Sequence, residues 1–217
     1  MERVEQLRLL KGLINHLDLN TNINAGGIIK TPADTYISEE RFDREWNTFF
    51  LNHPQIIGLS GDLPKPNSFV TTEDFGVPIL AVRDDTGEFK AYANVCPHRG
   101  VTIESSRKGE KSKFSCPFHG WTFNNEGNLI GYPKKEQFGE IDKDCYGLKE
   151  LPAIEKFGFL WVHPKRDGNI DLDELLGKEL QAEFDAWNFQ SLVFANEDLY
   201  FTDMNWKLAI DTFGETY

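Results

Sequence analysis

Cys96-Pro97-His98-Arg99-Gly100 and Cys116-Pro117-Phe118-His119-Gly120-Trp121 are the two stretches whose reading decides the fold of this chain. Together they spell C-x-H, seventeen intervening residues, then C-x-x-H. Each half places a thiolate and an imidazole on a tight turn, and two such turns can face each other across a β-domain. Two soft thiolates with two neutral imidazoles suit zinc or an iron–sulfur centre. Zinc fingers usually group Cys with Cys and His with His, whereas each half here mixes one of each. The third cysteine, Cys145, leaves the total odd and too small for a disulfide framework. In a reducing compartment, paired cysteines are more often metal ligands than a covalent staple.

Around the two stretches the chain is punctuated like an antiparallel all-β domain. Short runs at 55–59, 68–72, 77–83, 88–95, 114–116, 121–124, 128–130 and 157–162 read as strands. Asp85-Thr86-Gly87 and Asn125-Glu126-Gly127-Asn128 supply turns between them. Further out, residues 1–19 carry Val4, Leu7, Leu10, Ile14 and Leu17 at helical spacing. A second helix is predicted over 38–50, with Phe42, Trp46 and Phe49 on one face. Both are expected to pack against a domain and do no chemistry. Beyond His163-Pro164 the texture changes to helical over 171–187, extended over 192–202 and helical again over 205–217. The fold class expected is α+β. A helical segment over 1–50 precedes the antiparallel all-β domain over 51–165, and a second α+β domain starts over 166–217 and is cut short while its last helix is running.

Composition narrows the function. Apolar residues make up 40% and charged residues 27% of 217, an ordinary globular mixture. Lys plus Arg number 23 against 35 for Asp plus Glu, a net charge of −12 that opposes nucleic-acid binding. No run approaches the length of a membrane span, and charges interrupt the apolar positions at the N-terminus where a signal peptide would have none. The expectation is a cytoplasmic protein with no membrane and no nucleic-acid partner.

The mixed ligand pattern fits a Rieske 2Fe–2S cluster, in which two Cys hold one iron and two His the other. A turn carrying one of each can span both irons, and the flanking Pro and Gly suit loops that wrap closely round inorganic sulfide. A structural zinc site, as in an interaction module, is the competing reading of the motif. The full CPHRG and CPFHGW pair resembles the Rieske domain of the large (α) subunit of ring-hydroxylating non-haem iron oxygenases. It lacks the extra Cys beside each ligand loop that respiratory Rieske proteins use for a disulfide, and Cys145 is too distant to serve. Gly158-Phe159-Leu160-Trp161-Val162 resembles that domain's closing strand, and Trp121 is expected beneath a ligand loop. The resemblance covers roughly 38–217. It implies Cys96, His98, Cys116 and His119 as 2Fe–2S ligands.

Asn205-Trp206-Lys207 and the residues after it carry a second resemblance. In the oxygenases such a stretch opens a helix running into an acid-x-x-His segment. The acid bridges one subunit's Rieske site to the mononuclear Fe(II) of its neighbour, and the His is that iron's first ligand. Glu215 falls on the bridging position, and the first His would follow Tyr217 directly, so the mononuclear iron ligands are absent from this chain. Asp211, four residues before Glu215, is a second acid on the same helix face and is read as supporting that position. Geometry alone leaves both as a solvated stripe.

The function this resemblance implies is that of a Rieske mono- or dioxygenase α subunit, an oxidoreductase whose cluster feeds a mononuclear Fe(II) that activates O2 and oxygenates a small organic substrate of the aromatic class. No G-x-G-x-x-G follows a strand, so electrons are expected from an NAD(P)H-dependent reductase, with or without a ferredoxin. The bridge between subunits implies a homotrimer, with or without β subunits. The other class considered is a stand-alone Rieske electron-transfer protein. His16, His53 and His163 have no metal-ligand spacing and read as structural.

Overall fold

Among the described residues, eleven short strands and their turns build the part of the molecule that carries the two Cys/His stretches. The computed structural model describes residues 2–22, 27–139 and 141–214. These divide into two compact units, one of Met1–Phe42 with Thr202–Tyr217, the other Asp43–Phe201. No helix among the described residues is long and apolar enough to cross a membrane.

In the larger unit, β2 (Ser68–Thr72), β3 (Ile79–Arg83) and β4 (Phe89–Ala93) form a meander. It is extended at one edge by β5 (Lys108–Glu110) and at the other by β9 (Glu150–Leu151), giving the order β5-β2-β3-β4-β9. A second sheet pairs β1 (Gln55–Leu59) and β10 (Ala153–Lys156) with the central β11 (Phe159–Val162). A third consists of β6 (Lys113–Ser115), β7 (Thr122–Asn124) and β8 (Leu129–Gly131). Every pairing is antiparallel. The meander is buried on both faces: along β3, Ile79, Leu80, Ala81 and Val82 are all inaccessible to solvent. That explains why its sequence is a continuous apolar run rather than an alternation. Leu80 and Val82 point into one cluster with Cys96, Cys116, Phe114, Trp121 and Phe123. Ile79 points into the other, with Ala91, Leu151 and Val162.

Two-residue and Asx turns close the hairpins. Phe157 (φ 60°) and Gly158 (φ 78°) form the left-handed pair that joins β10 to β11. Between β3 and β4 the Asp84 carboxylate accepts from Thr86 N–H and Glu88 N–H, both at 2.9 Å, and from the Thr86 hydroxyl at 2.7 Å.

Helices flank this unit in sequence. In the smaller unit α1 (Arg3–Leu19) has no buried residue, and Val4 and Leu17 are 77% and 80% exposed. The helix predicted over 38–50 forms as one helical run over 39–50 that changes from α to π. After α2 (Asp34–Ile37), α3 (Glu39–Glu45) runs into a π turn, Trp46–Phe50, in which Leu51 N–H bonds to Trp46 C=O at 3.1 Å and Trp46 stacks on Phe50. A short α4 (Lys135–Phe138) follows β8. α5 (Leu172–Trp187) starts at Asp171, whose carboxylate accepts from Asp173 and Glu174 N–H, and is kinked at Gly177 (φ 64°). Residues 192–202 are irregular rather than a strand, and α6 (Trp206–Gly214) ends the described chain.

Candidate metal centre

Each Cys/His stretch folds into the same closed loop. In the first, Cys96 N–H donates to Val101 C=O at 2.8 Å and Gly100 N–H to Cys96 C=O at 2.9 Å. In the second, Cys116 N–H donates to Trp121 C=O at 2.8 Å and Gly120 N–H to Cys116 C=O at 2.9 Å. Gly100 and Gly120 occupy the same place, four residues after the cysteine, with φ of 73° and 68°. That left-handed conformation is open to glycine at little cost. The spacing of the histidines differs between the stretches; the loop that carries them does not.

The loops bring their chemistry together. Cys96 and Cys116 are buried in one apolar cluster, at 2% and 3% exposure. Burial pushes the Cys96 thiol up, and the neighbouring Cys116 thiol adds to the rise. The His98 and His119 rings stand 4.7 Å apart between centroids. Burial holds the His98 pKa down, and the His119 ring and Arg99 lower it further. Both residues are half-buried, yet the Nδ1 atom of each is fully buried and has no hydrogen-bond partner. A buried polar atom without a partner is costly and demands an explanation. Two such nitrogens on adjacent imidazoles, beside two buried thiols, form a donor set of two nitrogens and two sulfurs. That set suits a binuclear iron–sulfur group bound by Nδ1 and thiolate. Among the described residues no three of His, Cys, Asp and Glu surround a single metal-sized point.

Aromatic rings frame the imidazoles. Trp121 is 1% exposed and lies parallel to His98, with centroids 4.8 Å apart and planes within 2°. It underlies the ligand loop that carries His98. Phe118 leans on His119 at 3.8 Å and is itself 57% exposed. Phe138 and Tyr146 close round Trp121. Neither was singled out in the sequence, because neither lies within the motif.

The remaining sequence-predicted residues fall elsewhere. Cys145 is exposed, its thiol donates to Asp142 at 3.3 Å, and that carboxylate holds its pKa up. His163 is buried and its Nδ1 accepts from Lys165 N–H at 3.0 Å. Asp211 on α6 accepts from the Tyr36 hydroxyl at 2.7 Å, and Asn205 Nδ2 donates to Tyr36 C=O at 3.0 Å. Glu215 lies outside the described residues.

The sheets and the paired loops define a Rieske iron–sulfur domain. Residues 53–153 match the family described as the Rieske [2Fe-2S] domain. It is 29% identical over 199 residues to the alpha subunit of toluate 1,2-dioxygenase from Pseudomonas putida, a match taking in 88% of this chain and 44% of that protein. It is 31% identical over 195 residues to the alpha subunit of the methanesulfonate monooxygenase hydroxylase of Methylosulfonomonas methylovora, covering 84% and 47%. Among solved structures, the apo form of a quaternary ammonium Rieske monooxygenase superposes with a TM-score of 0.76 at 25% identity, over 86% of this chain and 55% of that one. The chain spans about half the length of the curated relatives it matches.

Proposed function

We propose that this chain is the cluster-bearing portion of a Rieske oxygenase α subunit. Cys96 and Cys116 would hold one iron of a 2Fe–2S group, and His98 and His119, through Nδ1, the other. The pair of buried, unpartnered Nδ1 atoms carries this reading. When bound, the group supplies single electrons for a mononuclear Fe(II) of the complete oxygenase, where O2 is activated and an organic substrate oxygenated. The oxygenase reading is favoured over a stand-alone electron carrier because the matched relatives are oxygenase subunits that align beyond the Rieske domain.

The chain's own side chains prepare the site. Burial of both cysteines removes water from the thiolates, and the Trp121 face fixes the plane of the His98 ring. Nδ1 ligation leaves Nε2 of each imidazole as the proton-bearing nitrogen. His119 Nε2–H is the assigned donor to the Glu215 carboxylate of an adjacent subunit, and Asp211, anchored on Tyr36, steadies the helix leading to Glu215. Such a bridge requires a ring-shaped homo-oligomer, assigned as a trimer with or without β subunits. Reducing equivalents are assigned to an NAD(P)H-dependent reductase, with or without a ferredoxin. The substrate class is a small organic, aromatic molecule.

Three substitutions test the assignment. Cys116→Ser and His119→Ala should each abolish the red-brown visible spectrum of protein reconstituted with iron and sulfide; retention of that spectrum in either variant would refute the ligand set. Glu215→Gln in the full-length protein should keep the spectrum and slow turnover, and normal product formation would remove the bridge.

A further inference from the structure

The two ligand loops are alike inside and unlike at their roots. The second is the tip of a regular hairpin, flanked by Ser115↔Thr122, Phe114↔Phe123 and Lys113↔Asn124 on β6 and β7. The first leaves β4 at Ala93 and meets no strand again until Lys108, with Val95↔Thr102 as an isolated bridge across its base. Yet both must present a thiol and an imidazole to the same place.

At the root of the first loop stands Asn94, 1% exposed and two residues before Cys96. Its Nδ2 donates to Glu104 C=O at 2.7 Å, and its Oδ1 accepts from Glu104 N–H at 3.0 Å. One residue's backbone donor and acceptor are thus both satisfied by one side-chain amide, the pattern a hydrogen-bonded antiparallel pair would supply. The Asn94 backbone N–H donates to Pro78 C=O at 2.8 Å, tying the root to the start of β3. Glu104 is pinned in turn: its carboxylate accepts from Ser106 N–H at 2.9 Å and pairs with the Lys111 ammonium. Glu104 is buried at 6% exposure, so little water competes for these bonds.

We propose that Asn94 is a positioning residue of the metal centre, doing for the first loop what the β6–β7 ladder does for the second. It sets where Cys96 and His98 stand relative to Cys116 and His119. This rests on the reading of the two loops as cluster ligands.

The test compares three forms of the purified protein, reconstituted anaerobically with iron and sulfide: unsubstituted, Asn94→Ala, and Val162→Ala. Val162 is fully buried in a core cluster that contains neither cysteine, so its variant reports loss of stability alone. At temperatures equally far below each variant's own unfolding midpoint, Asn94→Ala should lose its visible absorption roughly tenfold faster than Val162→Ala, the part felt at the loop of the two buried hydrogen bonds to Glu104 left unmade. The EPR spectrum of reduced Asn94→Ala should shift, while that of Val162→Ala overlays the unsubstituted protein. Asn94→Ser, which keeps a short hydrogen-bonding group, should fall between them and decides by the same two readouts if Asn94→Ala does not fold. Equal bleaching rates and superimposable spectra would overturn the positioning role. An unsubstituted protein that takes up no cluster would overturn the cluster reading instead.

Discussion

Asp84 shows how much a single side chain contributes in a domain built of short strands. It is 2% exposed, and burial works to raise its pKa. Hydrogen bonds from Thr86, the Lys90 ammonium and the backbone N–H groups of Glu88 and Thr86 outweigh that and hold it at about 2, against an ordinary 3.8. A carboxylate depressed in the folded state stabilises the fold fully above its unfolded pKa, and the contribution is lost as pH falls through the folded value. The shift corresponds to about 2 kcal/mol. Asp84→Asn should therefore lose about 2 kcal/mol at neutral pH and show a shallower loss between pH 4 and pH 2 than the unsubstituted protein. Urea unfolding across that range checks it; parallel curves for the two proteins would contradict the account. The turn itself was legible, because Asp-Thr-Gly is a turn signal, and so were Cys96, His98, Cys116 and His119, because their types and spacing sit within two short stretches. Asn94 was not. Its partner is the backbone of a residue ten positions away, and a backbone partner leaves no mark in the sequence.

The strands divide the same way. β1 and β2 match the predicted 55–59 and 68–72, because apolar and β-branched residues crowd a short run there. β5, β9 and β10 went unread. Lys108-Gly109-Glu110 is exposed throughout and offers no alternation, β9 is two residues long, and Ala153-Ile154-Glu155-Lys156 reads locally as well for a helix. The extended run predicted over 192–202 fails to become a strand for a different reason. Its start is taken up by contacts with the β-domain rather than by a ladder: Lys108 sits 3.4 Å from the Phe194 ring centroid, and Arg107 pairs with Glu197 at 2.7 Å. Just upstream, Phe189 packs 4.7 Å from Phe159, and a Cβ on Gly158 would stand 2.2 Å from Gln190 N. No backbone can yield that far without moving. Gly158→Ala should destabilise the domain by about 2–3 kcal/mol and open the stretch after α5 to proteolysis near Gln190. An unchanged melting curve and cleavage pattern would show that this close approach is not needed.

For the molecule as a whole, three apolar clusters and both ligand loops lie within 43–201. A fragment of those residues should fold cooperatively and take up the cluster; an unfolded fragment, or a folded one that stays colourless after reconstitution, would contradict that division. The boundaries read from the sequence at 50 and 165 followed changes of residue texture, whereas the division in space keeps α5 with the β-domain, because Phe184 and Phe189 pack on Phe159. Long-range packing of that kind has no local signature. The central claim is that two thiolates and two imidazoles from two matched loops share one binuclear group. Pulsed EPR on reduced protein labelled with 15N-histidine tests it most directly. The expected result is strong coupling to two directly bound histidine nitrogens, with no cluster signal at all in His98→Ala or His119→Ala. A reduced spectrum with no strongly coupled nitrogen, or a colourless protein that binds zinc and shows no signal, would contradict it.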